Sequence, residues 1–478
     1  MTATGPTPAK TNDPSFLIVD LDGTLLKTDT LHEGLIALLT HKPYRLFRIA
    51  PSLIAGRAAF KDAVARETTL SYELLPLNEQ VVAMLRQQAD AGRRLLLATG
   101  AHRSFAAGIA ARLGCFEAVI ASDERTNCTG AKKLEAIRMY CGQADFDYIG
   151  NSPADVPIWT EARKAYTVAG SAKQSSVQPI CVSHGHRGWV RDLLIAMRPH
   201  QWVKNLLVLI PILLGHKFND PARVLATGLA FLAFCLAASG AYLLNDVLDL
   251  DADRNHPAKR MRPFASGSAP LWAGMAAAPI LLLAAFAVAL SVSPALAGVI
   301  MAYCVATCAY SLKLKRIALL DVVTLAGLYA VRLIGGSAAT QVPLSPWTIA
   351  FFMFLFLSLA MMKRYSELLA LGSNGVSRVE GRGYRASDLV IIGNMGSAAG
   401  YISILTLALY VHSNDVALLY RHPSRLWALC VIGLYGISRM WLIAHRGEMN
   451  DDPILFVLRD RVSYVLAAVA AACFVWSL

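Results

Sequence analysis

The sequence predicts two folds in one chain: an N-terminal α/β domain with a parallel sheet and a helical cap, then an all-α polytopic membrane domain of about nine transmembrane helices. Three observations carry this. The 478 residues are 55% hydrophobic, above the roughly 45–50% of soluble proteins, and the excess lies almost wholly after residue 200. A short apolar run, Phe16-Leu17-Ile18-Val19, leads directly into Asp20-Leu21-Asp22-Gly23-Thr24. A long apolar run, Leu229 to Leu244, ends in Asn245-Asp246-Val247-Leu248-Asp249-Leu250-Asp251-Ala252-Asp253.

Composition narrows the class further. The net charge of +12 suits anionic lipid headgroups and phosphorylated substrates. Most basic residues cluster at the ends of apolar runs, so membrane lipids are expected as partners and nucleic acid is not. The nine cysteines show no CxxC or metal-ligand spacing. Residues 1–15 are polar and lack the apolar core of a signal peptide, which places the N-terminal domain in the cytoplasm. Residues 1–13 read as a disordered N-terminus, 14–170 as the α/β domain, 171–189 as a polar linker and 190–478 as the membrane domain.

In the N-terminal domain, Phe16–Val19 is a buried parallel strand by its continuous apolar character. A carboxylate at a strand end, a second two residues on and then Gly-Thr suit phosphoryl chemistry. Asp20 can attack phosphorus. Asp22 can protonate the leaving oxygen and later activate water. Both need a cation such as Mg2+ to hold the phosphate against their charge. Leu95–Ala98 is a second strand, ending in Thr99 and Gly100, where a hydroxyl can bond a phosphate oxygen. Lys133, with Lys132 as its rival, offers charge to offset the phosphate. Further on, Tyr148-Ile149-Gly150 leads into Asn151-Ser152-Pro153-Ala154-Asp155. Residues 31–50 and 53–65 read as helices capping the site. Their basic, apolar stretch from Leu38 to Ile54 has a place on the membrane surface as its second reading.

These four motifs, in this order, resemble the haloacid dehalogenase (HAD) phosphatases. The resemblance implies a Rossmannoid parallel sheet with a helical cap. It also implies Asp20, Asp22, Asn151 and Asp155 around Mg2+, with Thr99, Gly100 and Lys133 on the phosphate. Asn151 stands where the family usually has an Asp; its amide oxygen can ligate Mg2+ with one charge fewer.

A membrane span needs roughly 20 apolar residues. Nine segments qualify: about 194–214, 222–245, 271–291, 294–312, 318–340, 346–366, 389–412, 424–444 and 454–477. Alternate loops hold most of the Lys and Arg. The positive-inside rule therefore puts those loops in the cytoplasm beside the N-terminal domain, in a bacterial-type inner membrane, with the C-terminus outside. Asp321 and Arg332 lie inside one span, where charge is costly, and are expected to face a cavity.

The stretch 245–253 is the centre of the membrane domain. On a helix, Asn245, Asp249 and Asp253 share a face and Asp246 lies to one side. Carboxylates this close need a cation, and Mg2+ takes carboxylate and diphosphate oxygens together. Basic residues at the same ends of the spans, and Arg332 within its span, offer phosphate contacts: Arg198, Lys204, Arg262, Lys313, Lys315, Lys363 and Arg382, with Tyr384.

The pattern Asn-Asp-x-x-Asp-x-x-x-Asp and the span layout resemble the UbiA family of intramembrane prenyltransferases. That family usually carries a second motif, Asp-x-x-x-Asp; here Asp321 stands alone, with Leu325 four residues on. The segments RPHQWVKN, NDVLDLDADRNHPAKRMRP, YSLKLK, KRYSEL, RGY and AHRGEMNDDP resemble one branch, the decaprenyl-phosphate phosphoribosyltransferases. This implies Mg2+, phosphoribosyl pyrophosphate (PRPP) as donor and a polyprenyl phosphate as acceptor. Asp246 and Asp249 would be catalytic, with Asn245 and Asp253 beside them on the metal. The HAD-like domain would then remove the 5-phosphate of the product. The alternatives are a prenyl diphosphate donor with an aromatic or lipid acceptor, and a HAD-like domain that only regulates or recruits. A homo-oligomer is compatible with either.

Overall fold

The structure, a computed structural model, describes residues 16–168, 180–182, 188–373, 383–413, 416, 419–449 and 452–477. The expected disordered N-terminus 1–13, most of the linker 171–189 and Arg382 lie outside these. The chain divides into two compact units. One comprises residues up to Met197 together with Leu243–Ala277; the other comprises Arg198–Tyr242 and Ala278–Leu478.

In the first unit the apolar run 16–19 forms β1 (Phe16–Val19), and every residue in it is buried. Its side chains alternate between two cores: Leu17 and Val19 pack into one cluster, Phe16 and Ile18 into another. A strand buried on both faces is the signature of a parallel sheet covered by helices. Five more strands complete that sheet: β2 (Arg94–His102), β3 (Ala118–Ser122), β4 (Phe146–Gly150), β5 (Ala165–Thr167) and β6 (Ile180–Cys181). All pairings are parallel, in the order β3-β2-β1-β4-β5-β6.

β1 therefore sits between β2 and β4, where the strand order reverses. In open α/β sheets the crevice at that reversal is where ligands bind. Between β1 and β2 the helices Thr30–His41 and Arg57–Glu67 pack together as the expected cap. Asp29 caps the first by accepting from the N–H groups of Leu31 and His32. Between the two cap helices the short helix Leu46–Ile49 exposes Phe47 (84%) and Arg48, and Ile54 beyond it is 94% exposed, while Leu38 and Ile49 of the same stretch are buried.

Seven helices among the described residues are long and apolar enough to cross a membrane: Pro221–Leu248, Leu271–Val292, Pro294–Leu312, Leu320–Thr340, Pro346–Ala370, Ala386–Val411 and Pro423–His445. The protein is a multi-pass integral membrane protein. The count differs from the nine read from hydropathy, at both ends. Residues 194–214 do not form one helix. They are the end of Trp189–Ala196, a long 3₁₀ run at Pro199–Leu209 and a short helix at Ile210–Leu214. Arg198 takes a left-handed conformation (φ 53°), and neither Pro199 nor Pro211 can donate a helical hydrogen bond. At the far end, Arg461–Ser477 is a helix of 17 residues, short of the roughly 20 a span needs.

Helix contacts in the second unit rely on small residues. A Cβ added at Gly336 would lie 2.2 Å from the Val208 carbonyl oxygen, whereas Gly327 on the same helix has open space. Gly336→Ala is expected to lower the stability of the detergent-solubilised protein by about 1–3 kcal/mol, the usual cost of overpacking. Gly327→Ala is expected not to lower it. Thermal unfolding of the two variants side by side checks this.

Candidate active sites

The strand ends of the first unit place one centre. Asp20 follows β1, Asn151 follows β4 and Thr99 lies in β2. Lys133, on the helix Ala131–Cys141, reaches between the acidic residues: its Nζ donates to Asp20 Oδ1 at 2.9 Å and to Asp155 Oδ1 at 3.1 Å. It also donates to the Tyr148 hydroxyl at 2.9 Å, which in turn donates to Asp155 at 2.8 Å. The other oxygen of Asp155 accepts the backbone N–H groups of Asn151 and Ser152. The Asp22 carboxylate turns toward the cap, accepting from Thr30 N at 2.9 Å and Thr30 Oγ1 at 3.2 Å. Gly23 has φ +72°, and a Cβ there would lie 2.1 Å from Asn151 Nδ2. Only glycine lets the loop after Asp22 lie this close to Asn151.

The electrostatics follow from burial. Burial pushes the Asp20 carboxyl up to about 6, against the pull of Lys133. Burial, reinforced by Asp29, raises Asp22 well above the usual carboxylate range, which suits a group that must carry a proton. Burial works against charge on Lys133, but Asp20, Tyr148 and Asp155 outweigh it and hold the ammonium charged. Thr99 is fully buried, and its hydroxyl oxygen accepts from Ala101 N at 3.0 Å. Gly100 accepts Lys61 Nζ at 2.5 Å through its carbonyl. Two neighbouring carboxylates and an amide form a hard-oxygen donor set that fits Mg2+, which keeps several waters and takes few protein ligands. Among the described residues no three acidic, His or Cys side chains converge on one point, so the set is a sparse one.

The stretch 245–253 also lies in the first unit. Its helix runs from Pro221 to Leu248, breaks at Asp249 and resumes as Leu250–Asn255. The i→i+4 bonds persist across the break, with Asp249 N to Asn245 O and Asp253 N to Asp249 O both at 2.8 Å. Asp246 and Asp253 are both 2% exposed. Arg262 NH1 lies between them, 3.2 Å from Asp246 Oδ1 and 2.7 Å from Asp253 Oδ2. Burial raises the Asp253 pKa, against Arg262. A carboxylate pair sharing one guanidinium is a donor set that also fits a divalent ion.

The second unit holds a basic cluster. Lys204 Nζ and Lys363 Nζ both reach Asp452 Oδ2, at 2.7 and 3.1 Å. Burial acts to raise Asp452, but Lys363 and Lys204 outweigh it and bring the carboxyl to about 2. A cavity of about 940 Å³ opens beside them, lined by Lys363, Ser366, Glu367, His445, Arg446 and Asp452 among others. An apolar cavity of about 530 Å³ lies among the helices, lined by Phe351, Phe352, Ile404, Met440 and Phe474 among others. Arg332 donates to Asn205 Oδ1 at 2.7 Å and to the Tyr303 hydroxyl at 3.3 Å. Arg198 stacks on Tyr242, 4.9 Å from the ring centre. Lys313 is exposed and Lys315 half-buried. Tyr384 is buried, and its hydroxyl accepts from Leu319 N at 2.9 Å.

Asp321 is fully buried and accepts Arg364 Nε at 2.5 Å, Arg364 NH2 at 3.2 Å and the Tyr310 hydroxyl at 2.8 Å. The lone carboxylate in the region of a second acidic motif is thus taken up by an internal arginine. Sequence reading missed Arg364, Lys61, Tyr148 and the engagement of Asp452. Arg364 looked like one more positive-inside residue. The doublet Asp451-Asp452 had a visible charge pattern, but its lysine partners lie far away in sequence.

An intramembrane helical domain with one acidic motif, joined to an α/β domain with a phosphoryl-type centre, defines a class of membrane enzyme. The model of the UbiA prenyltransferase family matches residues 208–459, and that of the haloacid dehalogenase-like hydrolases matches residues 17–159. The chain belongs to the UbiA prenyltransferase family and carries a HAD-like domain at its N-terminus. The protein y4nM of Sinorhizobium fredii is 36% identical over 469 residues, covering 97% of this chain and 91% of that protein. The nodulation protein NoeC of Azorhizobium caulinodans is 35% identical, covering 56% of this chain and 88% of that one. The decaprenyl-phosphate phosphoribosyltransferase of Mycobacterium tuberculosis is 33% identical, covering 58% and 91%. A UbiA homologue from Archaeoglobus fulgidus, solved with GPP and Mg2+, superimposes with a TM-score of 0.46 at 14% identity, over 60% of this chain and 98% of that one.

Removing Arg364 leaves the Asp321 charge buried without its partner. Arg364→Leu is expected to cost about 3–5 kcal/mol of stability. The double variant Asp321→Leu/Arg364→Leu is expected to regain most of it, since the uncompensated charge is gone. Thermal unfolding of the single and double variants in detergent checks this pair.

Proposed function

We propose that the chain is a bifunctional membrane enzyme of the inner membrane. Its UbiA domain transfers 5-phosphoribose from PRPP to a polyprenyl phosphate. Its HAD-like domain then hydrolyses the 5-phosphate to leave polyprenyl-phosphoryl ribose. The observation that carries the reading is the state of the acidic residues. The stretch 245–253 keeps a carboxylate pair bridged by a basic side chain, whereas Asp321 is consumed by Arg364. One acidic motif suits a donor that bears a single diphosphate.

In this reading Asn245, Asp246, Asp249 and Asp253 hold Mg2+ and the pyrophosphate, and Mg2+ supplies charge stabilisation for the leaving group. Arg262 steadies Asp246 and Asp253. Lys204 and Lys363, with Arg198, Arg332, Lys313, Lys315, Arg382 and Tyr384 as further candidates, orient phosphates of donor and acceptor. The apolar cavity suits prenyl carbon. The reaction joins an acceptor phosphate oxygen to ribose C1 and releases pyrophosphate, so positioning the two reactants accounts for most of the catalysis.

In the HAD-like domain Asp20 attacks the 5-phosphate and Asp22, whose pKa burial raises, delivers a proton to the leaving C5 oxygen. Lys133 balances the charge of Asp20 and Asp155, and Thr99 and Gly100 line the phosphate. The homology with NoeC and with the decaprenyl-phosphate phosphoribosyltransferase supports the transferase half, and the loop charges support cytoplasmic placement of both centres. The C-terminus is then outside only if the total number of spans is odd.

The test is incubation of the membrane protein with radiolabelled PRPP, Mg2+ and a polyprenyl phosphate, followed by identification of the lipid product. Label is expected to enter the lipid, and Asp249→Asn is expected to lower the rate at least about a hundredfold, the scale for losing stabilisation of transition-state charge. Turnover of a prenyl diphosphate with an aromatic acceptor, and none of PRPP, would overturn the reading.

A further inference from the structure

The acidic stretch is fastened to the HAD-like cap by a buried ion pair. Arg254, the neighbour of Asp253, donates to Glu33 through both terminal nitrogens, at 3.0 and 2.6 Å. The two residues are 221 positions apart, and their side chains are 3% and 4% exposed. Glu33 lies in the first turn of the helix Thr30–His41 and also accepts from Thr28 Oγ1 at 2.8 Å. The same helix begins at Thr30, whose N–H is held by Asp22. From the other side, Arg254 Nε donates to Ala265 O at 3.2 Å, and Ser266 N donates to Arg262 O at 2.9 Å. Arg254 thereby ties the turn bearing Asp253 to the turn bearing Arg262. Gly267, at φ +72°, packs so closely that a Cβ would lie 2.7 Å from Lys27 Cβ.

A buried ion pair is rarely kept for stability, because desolvating two charges costs about as much as their attraction returns. What it supplies is geometry: a bidentate carboxylate–guanidinium fork fixes both position and orientation. Residues that hold metal ligands in place from the next shell out typically change metal affinity by about 10–100-fold when removed.

We propose that the HAD-like domain is a structural part of the transferase centre, and that Glu33 and Arg254 are positioning residues for the cation held by the stretch 245–253. This rests on the reading of that stretch given above. It also means that the fusion does more than place two activities on one chain. The cap helix that carries the contact of Asp22 carries the brace of Asp253.

The test uses the full-length protein in detergent with Mn2+ as the probe, in an Asp20→Asn background, with affinity read by electron paramagnetic resonance. Glu33→Gln and Arg254→Met are each expected to weaken Mn2+ binding about tenfold, and Glu33→Asp, which keeps the charge, to weaken it less. The double variant Glu33→Gln/Arg254→Met removes the unpaired buried charge. It is expected to recover the melting temperature lost by Arg254→Met without recovering the Mn2+ affinity. Affinity that returns with the melting temperature makes the pair merely structural and overturns the proposal. A signal lost in Asp249→Asn but unmoved by Glu33→Gln overturns the proposal alone. A signal that survives Asp249→Asn overturns the cation reading on which it rests.

Discussion

Buried carboxylates govern this molecule, because each must find a cation or give up its charge. Four examples among the described residues show how. Lys133 lies across Asp20 and Asp155, and Arg262 lies across Asp246 and Asp253. Two lysines share Asp452, and Arg364 is spent on Asp321. The first two pair one basic side chain with two acids, an arrangement that leaves negative charge in excess, as a site for a divalent ion requires. Asp452 has two lysines to itself, whereas Arg364 is shared between Asp321 and Glu367.

Much of this was legible in the sequence because it is local. β1 and Asp20 are adjacent, so an apolar run ending in a carboxylate announces both strand and site. The four phosphoryl motifs stand in order along the sequence, and the sheet puts β1 and β4 side by side. The i→i+4 spacing of Asn245, Asp249 and Asp253 survives even where the helix breaks at Asp249, since the backbone bonds bridge the break.

What the sequence hid is long-range or conformational. Hydropathy counts apolar residues but does not see that Arg198 turns left-handed or that 199–214 splits into a 3₁₀ run and a short helix, so nine spans were expected where seven helices qualify among the described residues. The Asp321–Arg364 pair joins two helices 43 residues apart, and nothing local marks it. Glu33 looked like one acidic residue on a cap helix; only the fold brings it to Arg254. Lys61 likewise reaches the phosphoryl centre from the cap, through Gly100, with no motif to signal it.

If the two centres act in series on one lipid, the most direct measurement is mass spectrometry of the lipid made from PRPP and polyprenyl phosphate by the intact protein and by its Asp20→Asn variant. The account predicts that the intact protein accumulates polyprenyl-phosphoryl ribose and that the variant stops at the species heavier by one phosphate, with the rate of ribosyl transfer unchanged. The same product ratio from both proteins would contradict it.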